Sequence, residues 1–471
     1  MKNSYLFRNP QLILFLVGVF GAVLGLVFKE ISFIYAASLT FVFANMLFSL
    51  KKIRYRIVFF VFQLTITLFI IMRPVILIIE GNLYYRFSQG IMWESSLIAM
   101  VSLFSMSLVA ILPIKWESDR SSKLRNARID YFAIRKITQG LYYISYIALL
   151  VVIVEKISFT QTHTITDYYN SFVSMIPLVV TKLADSNMII FYIFLGTFPT
   201  KKESRVIVCL HIIASALTLA YGVRNIFVLN VVALLIYYVL CCKNESEKKS
   251  SINKKNWLKL LFLSPLGIMG LQLIENLRKG LPLVSYTLFR DFLFSQGGSS
   301  EVISYTLYYY KEIPKQVHPY SIGSIFNYAN QNIVSRFIFG NTFYAQNTVE
   351  MAMYGHHLGS SIAYLDYPIT YLQGVGMGSS FLAELYFDFS FIGVIIGTVI
   401  LTIILLKIIN ILWYNPYVFG IVFIMIRWII YTPRDTFTNW LVQGLSIMNL
   451  FIIGLIFILS KLLRTQIKKE M

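Results

Sequence analysis

Residues 31–54 read ISFIYAASLTFVFANMLFSLKKIR. Twenty residues pass without a charge, and a cluster of Lys51, Lys52 and Arg54 follows at once. A bilayer core takes about 20 apolar residues per helix. A basic cluster against the end of such a run marks the cytoplasmic side, because Lys and Arg are retained there during insertion. The same alternation of apolar run and charged joint recurs along the 471 residues. The chain is 57% hydrophobic and 13% charged, with mean hydropathy +0.69. A soluble domain is nearer a quarter charged, so the composition excludes one.

Spans are expected at about 11–28, 31–50, 57–79, 92–114, 137–159, 176–198, 205–221, 225–242, 257–274, 379–404, 416–432 and 440–460. The fold class is therefore all-α and polytopic, with about twelve transmembrane helices in one integral membrane domain over 1–471. The sixth span carries Lys182 and Asp185, so 167–183 could instead lie on the surface as an amphipathic helix. The apolar run over 379–413 is long enough to tilt or bend. No cleavable leader pattern is read at the start: residues 1–10 are short and polar, and 11–28 reads as a retained first span.

With both termini cytoplasmic, the inner segments collect 27 of the 41 basic residues and seven of the 22 acidic ones. The net charge of +19 is thus a topology signal. It brings some attraction to anionic lipids and gives no reason to expect nucleic acid. Three cysteines, Cys209, Cys241 and Cys242, lie in or beside apolar helices, which argues against a disulfide framework.

This orientation places one large external loop, 275–378, on the outer side, with short connections around Arg224 and Arg434. A long ordered connection is usually functional. Four arginines, Arg224, Arg278, Arg290 and Arg434, are expected near one outer plane, where a guanidinium can fork onto a phosphate or diphosphate. Snorkelling, or pairing with Glu275, Asp291 and Asp435, is the structural alternative. Arg73 and Arg427 sit near outer helix ends and read as structural. Glu384 and Asp388 share a helix face, and Glu384 is a candidate base or sugar-hydroxyl acceptor. His356 and His357 lie in the loop, where a histidine can titrate as a general base. No His/Cys/Asp spacing resembles a zinc site and no acidic loop reads as calcium, so no metal or cofactor is expected. Gly374-x-Gly376-x-Gly378 lacks the spacing of a dinucleotide fingerprint. It reads as a tight turn into a helix, with Ser379 or Ser380 as N-cap.

Ser295-Gln296-Gly297, Asn347-Thr348-Val349-Glu350, Gly355-His356 and Gly374-Val375-Gly376-Met377-Gly378-Ser379-Ser380 followed by Ala383-Glu384-Leu385-Tyr386 resemble the Wzy family of bacterial O-antigen and capsular-polysaccharide repeat-unit polymerases. The likeness runs in order over about 290–395. At 357 the chain has His where a small polar residue is expected, so only His356 is carried over. The resemblance implies an architecture similar to lipid-dependent, metal-independent GT-C-type glycosyltransferases. It implies undecaprenyl-pyrophosphate-linked oligosaccharides as substrates, joined on the outer face of the bacterial cytoplasmic membrane. A flippase and a chain-length regulator are the implied partners.

The residues fit such chemistry. Diphosphate is already a stable leaving anion, so the site needs positive charge, from Arg224, Arg278, Arg290 or Arg434, and one base, His356 or Glu384. The alternatives are a lipid-linked-oligosaccharide flippase, which would put charges mid-span, and an O-antigen-ligase-like transferase.

Overall fold

The computed structural model describes residues 9–114, 116, 130–163, 167–168, 172–241 and 288–470. Among these residues there are helices and connections and no strand. Nine of the described helices are long and apolar enough to cross a membrane: Pro10–Phe28, Ile31–Leu50, Ile53–Ile79, Gln89–Ile111, Tyr131–Thr162, Leu178–Gly196, Arg224–Cys241, Phe381–Ile411 and Asn439–Gln466. Each matches an expected span. Two further expected spans form helices of 17 and 14 residues, Lys201–Leu217 and Pro416–Ile429. The first begins in Lys201-Lys202-Glu203, held by a capping box from Thr200; the second gives way to a single 3-10 turn, Thr432–Arg434. The expected span 257–274 lies outside the described residues.

Packing follows residue size. The first two helices meet through Gly18, Ala22 and Gly25, all buried. A Cβ at Gly18 would fall 2.7 Å from the Phe41 ring, so only glycine lets the two backbones come this close. Lys182 and Asp185 pair at 3.4 Å and stay exposed near the start of Leu178–Gly196, so they do not prevent the helix from forming.

Two irregularities shape the insert end of the bundle. Helix Ile53–Ile79 widens into a π segment at Thr67–Ile71 just before Pro74. Proline offers no N–H to the turn behind it, and a local widening accommodates the loss. The long helix Phe381–Ile411 breaks at Phe389 and Ser390, whose φ of 54° is left-handed. Its first two turns fold back onto the rest: Leu385 fills the space beside Gly393 and Gly397. The bend read from the length of the apolar run is therefore present.

From Leu288 onward the insert is a string of short helices. Its Val302, Ile303, Tyr305, Tyr320, Leu358 and Ile362 belong to the same apolar core as the spanning helices. It is thus packed onto the bundle rather than hung from it.

Candidate active site

The insert docks through a charge lattice. Arg290, in helix Leu288–Gln296, donates through Nε and Nη2 to Glu80 at 2.7–2.9 Å and through Nη1 to Asp291 at 3.1 Å. The Glu80 hydrogen bonds, ahead of the Asp291 contact, raise its already high pKa. Arg73 pairs with Glu301 at 2.5 Å. Arg86 reaches Glu301 at 3.5 Å and Asp366 at 3.8 Å, and Tyr309 donates to Asp366 at 3.1 Å. Burial, with Asp366 adding to it, pushes the Tyr309 phenol up to about 12. Arg73 and Arg290 also share the Phe294 ring, at 4.3 and 4.8 Å from its centre. The pairs of the exposed Arg86 and Arg290 contribute little singly. Together they fix the start of the insert against residues 73–86, and each arginine is matched by acid.

Arg434 differs. It ends the 3-10 turn Thr432–Arg434, is half-buried, and donates through Nη1 to Gln296 Oε1 at 2.9 Å. Its guanidinium stands 5.7 Å from the centre of Phe69, in the π segment. Among the described residues no carboxylate lies within ion-pair distance of it. Of the four expected arginines, Arg224 opens the helix Arg224–Cys241 and is half-buried. Arg278 lies outside the described residues.

The glycine-rich turn enters its helix as expected, but with different chemistry at the cap. Gly374 and Gly378 have φ of 92° and 81°, open to glycine at little cost. Ser380 occupies the N-cap position and makes no capping bond. Ser379 instead donates to Glu384 Oε1 at 2.7 Å, and the Phe437 N–H donates to Oε2 at 2.9 Å. Glu384 is 0% exposed. It bolts the glycine turn to the segment that carries Arg434. One turn on, Asp388 accepts from Tyr320 N at 2.9 Å, Ser321 N at 2.7 Å and His318 Nδ1 at 3.0 Å, gathering the loop 318–321. Asp435 accepts from Thr436 N at 2.8 Å and Asn439 Nδ2 at 2.5 Å, while burial pushes its carboxyl up to about 6.

Glu384→Ala leaves the Phe437 amide and the Ser379 hydroxyl without their acceptor. An unsatisfied buried donor costs about 1–3 kcal/mol, so a loss of about 2–4 kcal/mol is expected, read as a lower unfolding midpoint of the purified chain. An unchanged midpoint would remove Glu384 as the bolt.

His356 lies beneath Phe326, with ring centres 5.1 Å apart. Its Nδ1 sits 2.6 Å from the Val317 carbonyl oxygen, and its amide donates to Asn327 Oδ1 at 3.0 Å. A carbonyl can only accept, so Nδ1 carries the proton and Nε2 of the neutral ring keeps its lone pair. The backbone of Gly323 lies directly against the His356 carbonyl, where no Cβ fits. Ser324 is hydrogen-bonded to Thr436, and the next residue, Phe437, holds Glu384. His356, Glu384 and the Arg434 segment thus belong to one contiguous network, without a direct bond between the three side chains.

His357 has another part. It caps helix Leu358–Asp366, its Nδ1 accepting from Ser360 N at 3.1 Å, and burial lowers its pKa. N-cap positions favour small polar residues, and at 357 the imidazole nitrogen accepts the capping bond that such a residue would take.

Sequence reading passed over Gln296, although it lies in a quoted motif, and treated Arg427 as structural. Arg427 was visible as a lone charge in an apolar run. Among the described residues no three His, Cys, Asp or Glu side chains come together as a metal site.

The model of the family described as O-antigen polysaccharide polymerase Wzy matches residues 11–466, nearly the whole chain. Comparison with curated proteins and with solved structures finds no match in either.

Proposed function

We propose that this chain, which belongs to the O-antigen polysaccharide polymerase Wzy family, joins undecaprenyl-pyrophosphate-linked oligosaccharide repeat units by glycosyl transfer on the outer face of the bacterial cytoplasmic membrane. The family acts on lipid-linked repeat units in the membrane. The observation that carries the finer reading is Arg434: a half-buried guanidinium without a carboxylate partner among the described residues, tied by its own segment to Glu384 and, through Thr436 and Ser324, to the loop under His356.

In this reading the hydroxyl oxygen at the non-reducing end of the incoming unit attacks the anomeric carbon of the growing chain. The new glycosidic C–O bond forms as the bond to the lipid diphosphate breaks. The diphosphate leaves with the electron pair, and Arg434 stabilises the charge that develops there. The hydroxyl proton passes to Nε2 of His356, whose Nδ1–H is fixed on the Val317 carbonyl. Glu384 acts as a positioning residue, since both its oxygens are already engaged. Arg224 and Arg278 remain candidates for the second phosphate. Arg290 would have to leave Glu80 and Asp291 to take part, and its place here is to dock the insert. A flippase supplying the units and a chain-length regulator are the proposed partners.

Deleting the gene tests the reading in cells. Single repeat units on the lipid or the surface, with no ladder of longer chains, are expected. Loss of every unit from the outer face would point to a flippase.

A further inference from the structure

Where the insert turns between helices Gly323–Asn330 and Ile333–Phe339, Asn330, Gln331, Asn332, Arg336, Asn341 and Phe343 line an open cleft of about 160 Å³. The turn that carries it is pinned. Asn332 caps the second helix, its Oδ1 accepting from Ser335 N at 2.9 Å while its Nδ2 donates to Tyr328 O at 2.6 Å. The Ser335 hydroxyl donates to Ala329 O. The Tyr328 hydroxyl accepts from Ile447 N at 2.7 Å and so ties the turn to the last spanning helix. After the second helix Gly340 takes a left-handed φ of 67°, and the chain beyond it brings Asn341 and Phe343 to the same cleft.

What the cleft offers a ligand follows from the groups left unused. Among the described residues the Asn330 and Asn341 amides and the Arg336 guanidinium have no hydrogen-bond or ion-pair partner. Phe343 is 60% exposed, a large ring left open to water. An aromatic face beside several planar amides suits a pyranose. The ring covers the C–H face of the sugar, and each amide both donates to and accepts from its hydroxyls. Arg336 is the single charge among the six lining residues. A guanidinium forks onto a carboxylate, and one cation matches one anion. A diphosphate carries more charge than this cleft can balance. The cleft also adjoins His356. Gln331 Nε2 donates to Asn327 Oδ1 at 3.4 Å, and the same oxygen accepts from the His356 amide at 3.0 Å. Phe326 and Asn327, which hold His356, thus lie one helical turn from Asn330 and Gln331, which line the cleft.

We propose that this cleft binds a carboxylated sugar, a hexuronate residue, of the acceptor oligosaccharide, beside the hydroxyl that His356 deprotonates. Arg336 holds the carboxylate, Phe343 covers the ring, and Asn330 and Asn341 take its hydroxyls. The placing on the acceptor rests on the glycosyl-transfer reading above, whereas the sugar class rests on the cleft alone.

The test is sugar binding to the purified full chain in detergent, read by titration under saturation-transfer NMR, which needs no turnover. The probes are the methyl glycosides of glucuronic, galacturonic and mannuronic acid, and those of glucose, galactose and mannose. Each pair differs only in a carboxylate against a hydroxymethyl group. Single rings are expected to bind in the millimolar range, with at least one uronide about ten-fold tighter than its neutral counterpart. Arg336→Gln should erase that difference, and Phe343→Ala should weaken acidic and neutral sugars alike. Both side chains are exposed, so both variants are expected to fold. Equal binding of uronides and neutral sugars, or binding of neither, overturns the site. A preference undiminished in Arg336→Gln, or affinities unchanged in Phe343→Ala, also overturns it, by putting the sugar elsewhere. Tighter binding of glycerol phosphate than of any uronide overturns it by giving Arg336 to a lipid phosphate. Failure of the polymerase reading shows separately, as no product longer than one repeat unit from a lipid-linked unit, and leaves these binding results standing.

Discussion

Arg434→Ala is expected to slow chain growth by about 10²–10³-fold, the cost of removing one pre-organised donor aimed at developing negative charge. The chain should still fold and insert. Arg434 is half-buried, it donates to the neutral Gln296, and no carboxylate depends on it among the described residues. Removing it therefore strands no buried partner charge. Arg434→Lys should recover only part of the rate, since an ammonium keeps the charge and loses the planar fork that matches a phosphate. Arg290→Ala is the contrast. That arginine is already neutralised by Glu80 and Asp291, so its loss should act through docking of the insert and cost stability more than turnover. Polymerisation by purified variants, normalised to folded protein, reads all three. A rate for Arg434→Ala within a few-fold of the unmodified chain, with Arg290→Ala inactive though folded, would reverse the assignment.

His356→Gly is expected to slow the reaction by about 10²–10⁴-fold, the usual range for one positioned general base. The substitution also opens a space of known shape between Phe326 and the Val317 carbonyl. Added imidazole should enter it, donate to that carbonyl and restore part of the rate in a concentration-dependent way. A residue acting only in packing would not be rescued by a soluble base, so rescue separates the two roles. Loss of activity with no rescue, together with a lowered unfolding midpoint, would leave His356 as a loop anchor. His357→Asn serves as a control: asparagine caps helices well, and the rate should hardly change.

The spanning helices were legible because each contains an apolar run of about the thickness of a bilayer with few charges, and nine of the twelve expected spans have such a helix. The bend near Ser390 was legible as surplus length, but not the fold-back that Gly393 and Gly397 permit around Leu385. The short helices of the insert carry weak periodic signals and hold their shape through long-range contacts. The same limit applied to the candidate site. Glu384 and Ser379 are five residues apart and could be linked from sequence. The Phe437 amide that completes the pair lies 53 residues away. Pairing of Arg290 with the adjacent Asp291 was open to the sequence, but its second acid, Glu80, is 210 residues distant. A charge shows in a sequence, while its neutralisation by a remote acid does not. That is why four arginines looked equivalent before the fold separated them.

The central claim is glycosyl transfer between two lipid-linked units. It is tested most directly by the purified chain in detergent or proteoliposomes with one defined undecaprenyl-diphosphate-linked repeat unit as the sole sugar substrate. The expected products rise in steps of one repeat unit, with one lipid diphosphate released per bond formed. Movement of intact units across the proteoliposome membrane with no product longer than the starting unit would contradict the account.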